Sequence, residues 1–314
     1  MGKNIGIVNV DGLHYPNYAL MKISAYHKQH GDHVEFADPM FGEYDIVYMS
    51  KIFTFTKDDE NFYRTSETIR GGTGYDIHKK LPQEIDDLQP DYSLFGIKDV
   101  SYGFITRGCP NKCPWCIVPH KEGKPAPYRD IEEILNGNNK AVLMDNNILA
   151  TDYGIAQLEK IAELQCRVDF NQGIDARLIT EDIAKILGRI KWIDYIRLAC
   201  DQKSQIPHIL KAHDMLVKYG YPQNKVVFCY TLINDFDDTM YRLDTMRKHK
   251  WFYPGCQPYR DFNNPKQRIP QWQKDLARWA NRGALYRSTE FKDYEPRKGF
   301  KCQTYFDKPE GILF

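Results

Sequence analysis

The chain has 314 residues, 43 basic and 42 acidic side chains and a formal charge of +1. That length holds one large domain or two modest ones, and balanced charge argues against an extended nucleic-acid surface, though not against a small nucleotide-like substrate. No apolar run approaches the ~18 residues of a membrane helix, so no membrane is expected.

The opening residues Met1-Gly2-Lys3-Asn4-Ile5-Gly6 carry no secretory apolar stretch and fail the myristoylation pattern. Eight cysteines without such a signal, three of them clustered, fit a reducing cytoplasm. Residues 1–98 read as a small α/β domain. Asn4–Val10 is a buried strand, and Tyr18–Gln29 has helical spacing at Leu20, Met21 and Ile23, with Gly31 as its stop. His33–Ala37 and Asp45–Met49 are further strands. Phe53–Arg70 is polar without an obvious helix, and Gly71-Gly72-Thr73-Gly74 signals a turn. Residues 82–100, with Pro82 and Pro90, read as a linker or covering segment.

From Tyr102 onward, strand and helix patterns alternate. Strands are expected at Tyr102–Thr106, Ala141–Met144, Val168–Asn171, Tyr195–Ala199, Val226–Leu232 and Gly255–Tyr259. Helices are expected from about Asp130, from Asp152, after the N-cap candidate Thr180, over Ile206–Tyr219 and over Asp238–His249. Such alternation implies an α/β fold with a parallel sheet. This second domain spans 99–262, and 263–314 forms a C-terminal extension. Its helix, Gln271–Tyr286, places Trp272, Leu276, Trp279 and Ala280 on one stripe, read as core.

The densest chemistry is Cys109-Pro110-Asn111-Lys112-Cys113-Pro114-Trp115-Cys116. Three thiolates can hold three irons of a [4Fe–4S] cluster and leave the fourth iron open. A structural zinc site would want a fourth ligand, for which only His120 is near. A non-catalytic Fe–S or zinc module for electron transfer or sensing is therefore the competing reading from another class.

The CxxxCxxC spacing, with Trp115 before the last cysteine, resembles the radical SAM superfamily. The resemblance implies a (β/α)6 partial TIM barrel in the second domain. It also implies a [4Fe–4S] cluster on Cys109, Cys113 and Cys116, S-adenosylmethionine on its open iron, and a 5′-deoxyadenosyl radical that takes hydrogen from an unidentified substrate. A flavodoxin- or ferredoxin-type reductant is the implied partner. The phrase Tyr15–Asp38 and the Gly-rich turn are similar to the Rossmann-like cobalamin-binding domain fused to many such enzymes. That domain looks abbreviated here, which weighs against cobalamin and against the cobalamin-dependent methyltransferase alternative. Neither His14 nor His78 stands in a DxHxxG setting. Methylthiolation of transfer RNA is disfavoured because residues 1–108 contain no cysteine.

Residues at later strand ends would line the cofactor pocket. Asp145 and Asn146 follow the second strand, in a sequence similar to the Asp-Asp-Asn type that meets the methionyl amine. Gln172, Asp175 and Arg177 follow the third, where Arg177 has the fork for a carboxylate. Asp201 follows the fourth and suits a ribose hydroxyl. Arg107 is a candidate charge beside the cluster. Cys166, Cys200 and Cys229 are expected in the core, and Cys256 is a weak catalytic candidate as a hydrogen-atom donor.

Overall fold

A computed structural model of the protein describes residues 2–13 and 16–307. The chain divides into two compact units, Met1–Tyr102 and Gly103–Phe314. Among the described residues, no helix is long and apolar enough to cross a membrane.

The first unit runs β1 (Asn4–Asn9), α1 (Tyr18–Gln29), β2 (His33–Phe36), β3 (Glu43–Ser50), β4 (Arg64–Gly71) and α2 (Gln83–Asp86). The sheet order is β2-β1-β3-β4 with parallel pairing throughout. Helix α1 starts where the Asn17 side chain accepts the Leu20 N–H, at 3.2 Å. It stops before Gly31, whose φ of +80° favours a residue without a Cβ. Ile5, Ile7, Leu20, Ile23, Val34 and Ile85 form one small core, and Val8, Tyr44, Val47 and Met49 another.

The polar stretch after Phe53 does lack a helix, but it ends in a strand that the sequence hides. Strand β4 lies at the sheet edge with most residues exposed, so it lacks the alternation that marks a half-buried strand. The segment 82–100 covers α1. The buried Lys22 ammonium pairs with Asp86 at 2.8 Å, and Asp91 accepts from Ser24 and Lys28, each at 2.6 Å.

Strand β5 (Ser101–Gly103) runs across the division, and the second unit goes on with β6 (Thr106–Arg107), α3 (Val118–Lys121), β7 (Ala126–Pro127) and α4 (Ile131–Leu135). It continues with β8 (Lys140–Leu143), α5 (Asp152–Leu164), β9 (Arg167–Phe170), α6 (Glu181–Arg189), β10 (Lys191–Trp192) and β11 (Arg197–Ala199). It closes with α7 (Ile206–Lys218), β12 (Val227–Ile233), α8 (Phe236–Arg247), β13 (Phe252–Pro258), α9 (Gln271–Ala280) and α10 (Gly283–Ser288).

One sheet has the order β10-β9-β8-β5 and another β11-β12-β13, while β6 and β7 form an antiparallel hairpin. The pairs β8–β9, β9–β10, β11–β12 and β12–β13 are parallel. A parallel bridge from Ile174 to Leu198 links the strand end after β9 to β11. The larger strands are thus laid down in chain order with helices between them, as an α/β alternation requires.

Boundaries follow the caps. Thr180 accepts the Ile183 N–H at 3.3 Å and starts α6. Asp235 accepts the Asp238 N–H at 2.8 Å, which starts α8 at Phe236 instead of Asp238. Cys166, Cys200 and Cys229 are buried in the main core. The long C-terminal helix of the sequence reading is two helices. The break falls at Asn281, whose side chain accepts the Cys256 N–H at 2.7 Å and donates to the Cys256 carbonyl at 2.9 Å, capping the edge of β13. Leu276, Trp279 and Ala280 are fully buried in the same core, so the stripe is structural. Residues 308–314 of the tail lie outside the described residues.

Candidate functional site

The cysteine run is a loop whose neck is closed by one carboxylate. Gly108 follows β6 at φ +86°, and a Cβ there would overlap the Lys124 carbonyl. The Cys109 N–H bonds to the Gly123 carbonyl at 3.1 Å. Glu122 accepts from Arg107 Nε at 3.1 Å and Nη2 at 2.5 Å, from the Gly108 N–H at 3.0 Å, and from Asn146 Nδ2 at 2.6 Å. The Arg107 guanidinium also lies 3.9 Å from the Phe104 ring centroid. Arg107 therefore braces the loop's base.

Within the loop, the Cys116 N–H turns back to the Cys113 carbonyl at 3.0 Å. Cys109, Cys113 and Cys116 are free and half-buried. Burial pushes the Cys113 thiol up against the positive charge of Arg177, and burial likewise pushes Cys116 up. Both thiols feel the charge of Cys109 and of Asp201, and Cys116 also that of Cys113. Among the described residues, no three His, Cys, Asp or Glu side chains stand together in a metal-binding arrangement.

Residues from two later strand ends touch this loop, and a third acts on it through its charge. After β9, Asp175 accepts from Arg177 Nε at 2.8 Å and Nη2 at 2.7 Å, and from Asn111 of the cysteine loop at 3.2 Å. Burial would raise the Asp175 carboxyl, but Arg177 and Asn111 hold it below its usual range. After β8, Asn147 is 2% exposed. Its Nδ2 lies 3.7 Å from Cys109 Sγ and 3.4 Å from Asp175 Oδ2. After β11, Asp201 accepts the Leu232 N–H at 2.9 Å, while Gln205 Oε1 holds its own N–H at 2.6 Å. Burial pushes the Asp201 carboxyl up. Beneath it, fully buried Arg242 donates to the Cys200 carbonyl at 2.6 Å and the Leu232 carbonyl at 2.8 Å. It thereby ties the ends of β11 and β12 together.

Asp145 has protein partners of its own. Its carboxylate is buried and accepts from the Ile105 N–H at 3.1 Å, the Thr106 N–H at 2.5 Å and the Thr106 hydroxyl at 2.8 Å. Burial pushes it up to about 6 against these bonds. It fixes the backbone entering the cysteine loop. Asn146 reaches Glu122 at the neck. Gln172 is exposed and donates to Asn171 at 3.1 Å. Trp115 is half-buried on the loop. Cys256 is 3% exposed in the main core, where burial pushes its thiol up to about 12. His120 lies against the Phe262 ring, with centroids 5.5 Å apart. Asn147 is the residue that sequence reasoning passed over. Its only signal was its place beside Asp145 and Asn146 after a strand.

Cys109, Cys113 and Cys116 have the number and the chemistry of the ligands of a cluster that takes three cysteines, and Cys113 feels Arg177, Asp175 and Asp201, but the three side chains do not stand together in a metal-binding arrangement. In the first unit the charged groups at the strand ends hold one another. Asp11 accepts from the Ile52 N–H at 2.5 Å and the Thr56 hydroxyl at 2.6 Å, while Lys51 pairs with Asp58 and lies 4.5 Å over the Tyr75 ring. His78 is exposed, and His14 lies outside the described residues. Comparison with protein-family models and with curated protein sequences finds no match to this chain.

Proposed function

We propose that the chain is a radical SAM-type enzyme of α/β fold whose second unit is a (β/α)6 partial barrel. The observation that carries this reading is the meeting of the CxxxCxxC loop with Asn147, Asp175, Arg177 and Asp201, each just after a strand. Loops after strand C-termini are where α/β folds assemble their sites.

In this reading Cys109, Cys113 and Cys116 hold a [4Fe–4S] cluster and leave one iron for S-adenosylmethionine. The bound pair would supply a 5′-deoxyadenosyl radical after one electron from a flavodoxin- or ferredoxin-type donor. The chain's own residues position and shield. Arg177 Nε and Nη2 are taken by Asp175, which leaves Nη1 for a ligand carboxylate. Asp201 spends one oxygen on the Leu232 N–H and keeps the other for a hydroxyl. Glu122 and Asp145 keep the loop and its incoming strand in place. The substrate is a small or nucleotide-like molecule of unidentified structure.

The test is anaerobic reconstitution with iron and sulfide. The protein should take up about four irons per chain through three thiolates, and with a low-potential reductant it should convert S-adenosylmethionine to 5′-deoxyadenosine and methionine. Stoichiometric zinc without iron, or a cluster that never cleaves S-adenosylmethionine, would favour the electron-transfer or sensor reading instead.

A further inference from the structure

One buried amide is only half used. Asn147 is 2% exposed, and its Oδ1 has no hydrogen-bond partner among the described residues. A buried, unsatisfied carbonyl is costly, so the side chain is held there by what its other end does. Nδ2 lies 3.7 Å from Cys109 Sγ and 3.4 Å from Asp175 Oδ2. The amide cannot be turned over. Asp175 is ionised, as its paired Arg177 requires, and can only accept. A flipped amide would set its oxygen against a carboxylate and a sulfur. Asp175 in turn receives Asn111 from the cysteine loop. Asn147 thus bridges the loop that carries the thiols and the strand end that carries the Asp175–Arg177 pair.

Resting on the reading above, we infer that Asn147 is a positioning residue for Cys109: its amide N–H donates to the cysteine sulfur and sets the redox poise and affinity of the metal group held there. An N–H···S bond draws charge from a thiolate. It therefore favours the reduced, more negative state of the centre, because hydrogen bonds to ligand sulfurs are among the controls on cluster potential. The same bond pre-orients the thiolate for any soft metal ion.

Asn147→Asp nearly preserves shape while replacing the donor by an acceptor. In the reconstituted protein, a redox titration followed by paramagnetic resonance should show its cluster at a more negative potential. At fixed poise the reduced-to-oxidised ratio should fall about tenfold, which is about 59 mV for a one-electron couple. Asn147→Ala adds no charge beside Asp175 and carries the test should the Asp variant fail to fold. An unchanged potential with full iron content in either folded variant overturns the inference. A second measurement needs no cluster. Cadmium alone, titrated into the apo-protein, should bind about 10–100-fold more weakly in the variants, the usual cost of losing an outer-shell partner. If the wild type builds no cluster, the radical SAM reading fails while a loss of cadmium affinity still upholds Asn147. Equal cadmium affinity in wild type and variants then overturns it.

Discussion

Both units contain parallel strands with polar residues after them, and they use those residues in opposite ways. After β1 and β3 of the first unit, Asp11 spends its carboxylate on the backbone of Ile52 and Phe53 and on Thr56, and Lys51 pairs with Asp58. These charged groups satisfy each other, while the buried Tyr75 hydroxyl beside Lys51 has no partner among the described residues. After β6 and β8 of the second unit, three thiols stay half-buried and outside any disulfide, and the Asn147 carbonyl has no partner among the described residues. Polar groups that close on themselves maintain a fold. Polar groups that are buried and left short of partners are where a ligand repays the cost of their burial.

The comparison is tested most severely at the thiols. Replacing Cys109, Cys113 and Cys116 together by Ala should abolish iron uptake and the visible sulfur-to-iron absorption, yet leave the circular dichroism of the apo-protein unchanged. Retained iron would move the metal centre elsewhere, and collapse of the fold would make the thiols structural.

The next effect is on stability. Asp145→Ala strips the acceptor from three buried donors, the Ile105 and Thr106 N–H groups and the Thr106 hydroxyl. That should cost about 3 kcal/mol, or roughly 10 °C in the calorimetric transition of a unit of this size. Asp11→Ala in the first unit removes a similar number of bonds, but the Ile52 and Phe53 N–H groups it serves are exposed, and water replaces the carboxylate. The expected loss there is about 1 kcal/mol, with no change in metal uptake. Equal losses would mean that the two strand-end clusters are alike, against the contrast drawn above.

The legible part of the fold was the part written in periodicity and caps. Thr180, Gly31 and the alternating strands after Tyr102 all announced their elements, because apolar spacing and cap chemistry are local. Strand β4 was silent, since an edge strand of Arg, Thr, Ser and Glu buries neither face. Asp145 and Cys256 looked alike in sequence, as polar or reactive residues at strand ends. Only the tertiary partners separate them from the site: Asp145 turns to the backbone of Ile105 and Thr106, and Cys256 packs in the core. The reach of Asn147 to Cys109 spans 38 positions and has no local signature.

The smallest expected effect concerns Asp175, and it distinguishes a maintained pair from a working one. The Asp175 carboxyl lies below its usual range in the folded chain, because Arg177 and Asn111 outweigh the burial that would raise it. A carboxylate depressed on folding contributes stability above its unfolded pKa and loses that contribution as pH falls through the lower, folded value. Asp175→Asn should therefore lower the melting temperature of the second unit near pH 7 by only about 2 °C, since a pair with a partly exposed Arg is worth at most about 1 kcal/mol. The difference from wild type should persist to about pH 4 and close as the pH falls below it. A difference that instead grows toward acid pH would reverse the sign and show that Asp175 is buried at a cost to the fold, like the carbonyl of Asn147 beside it.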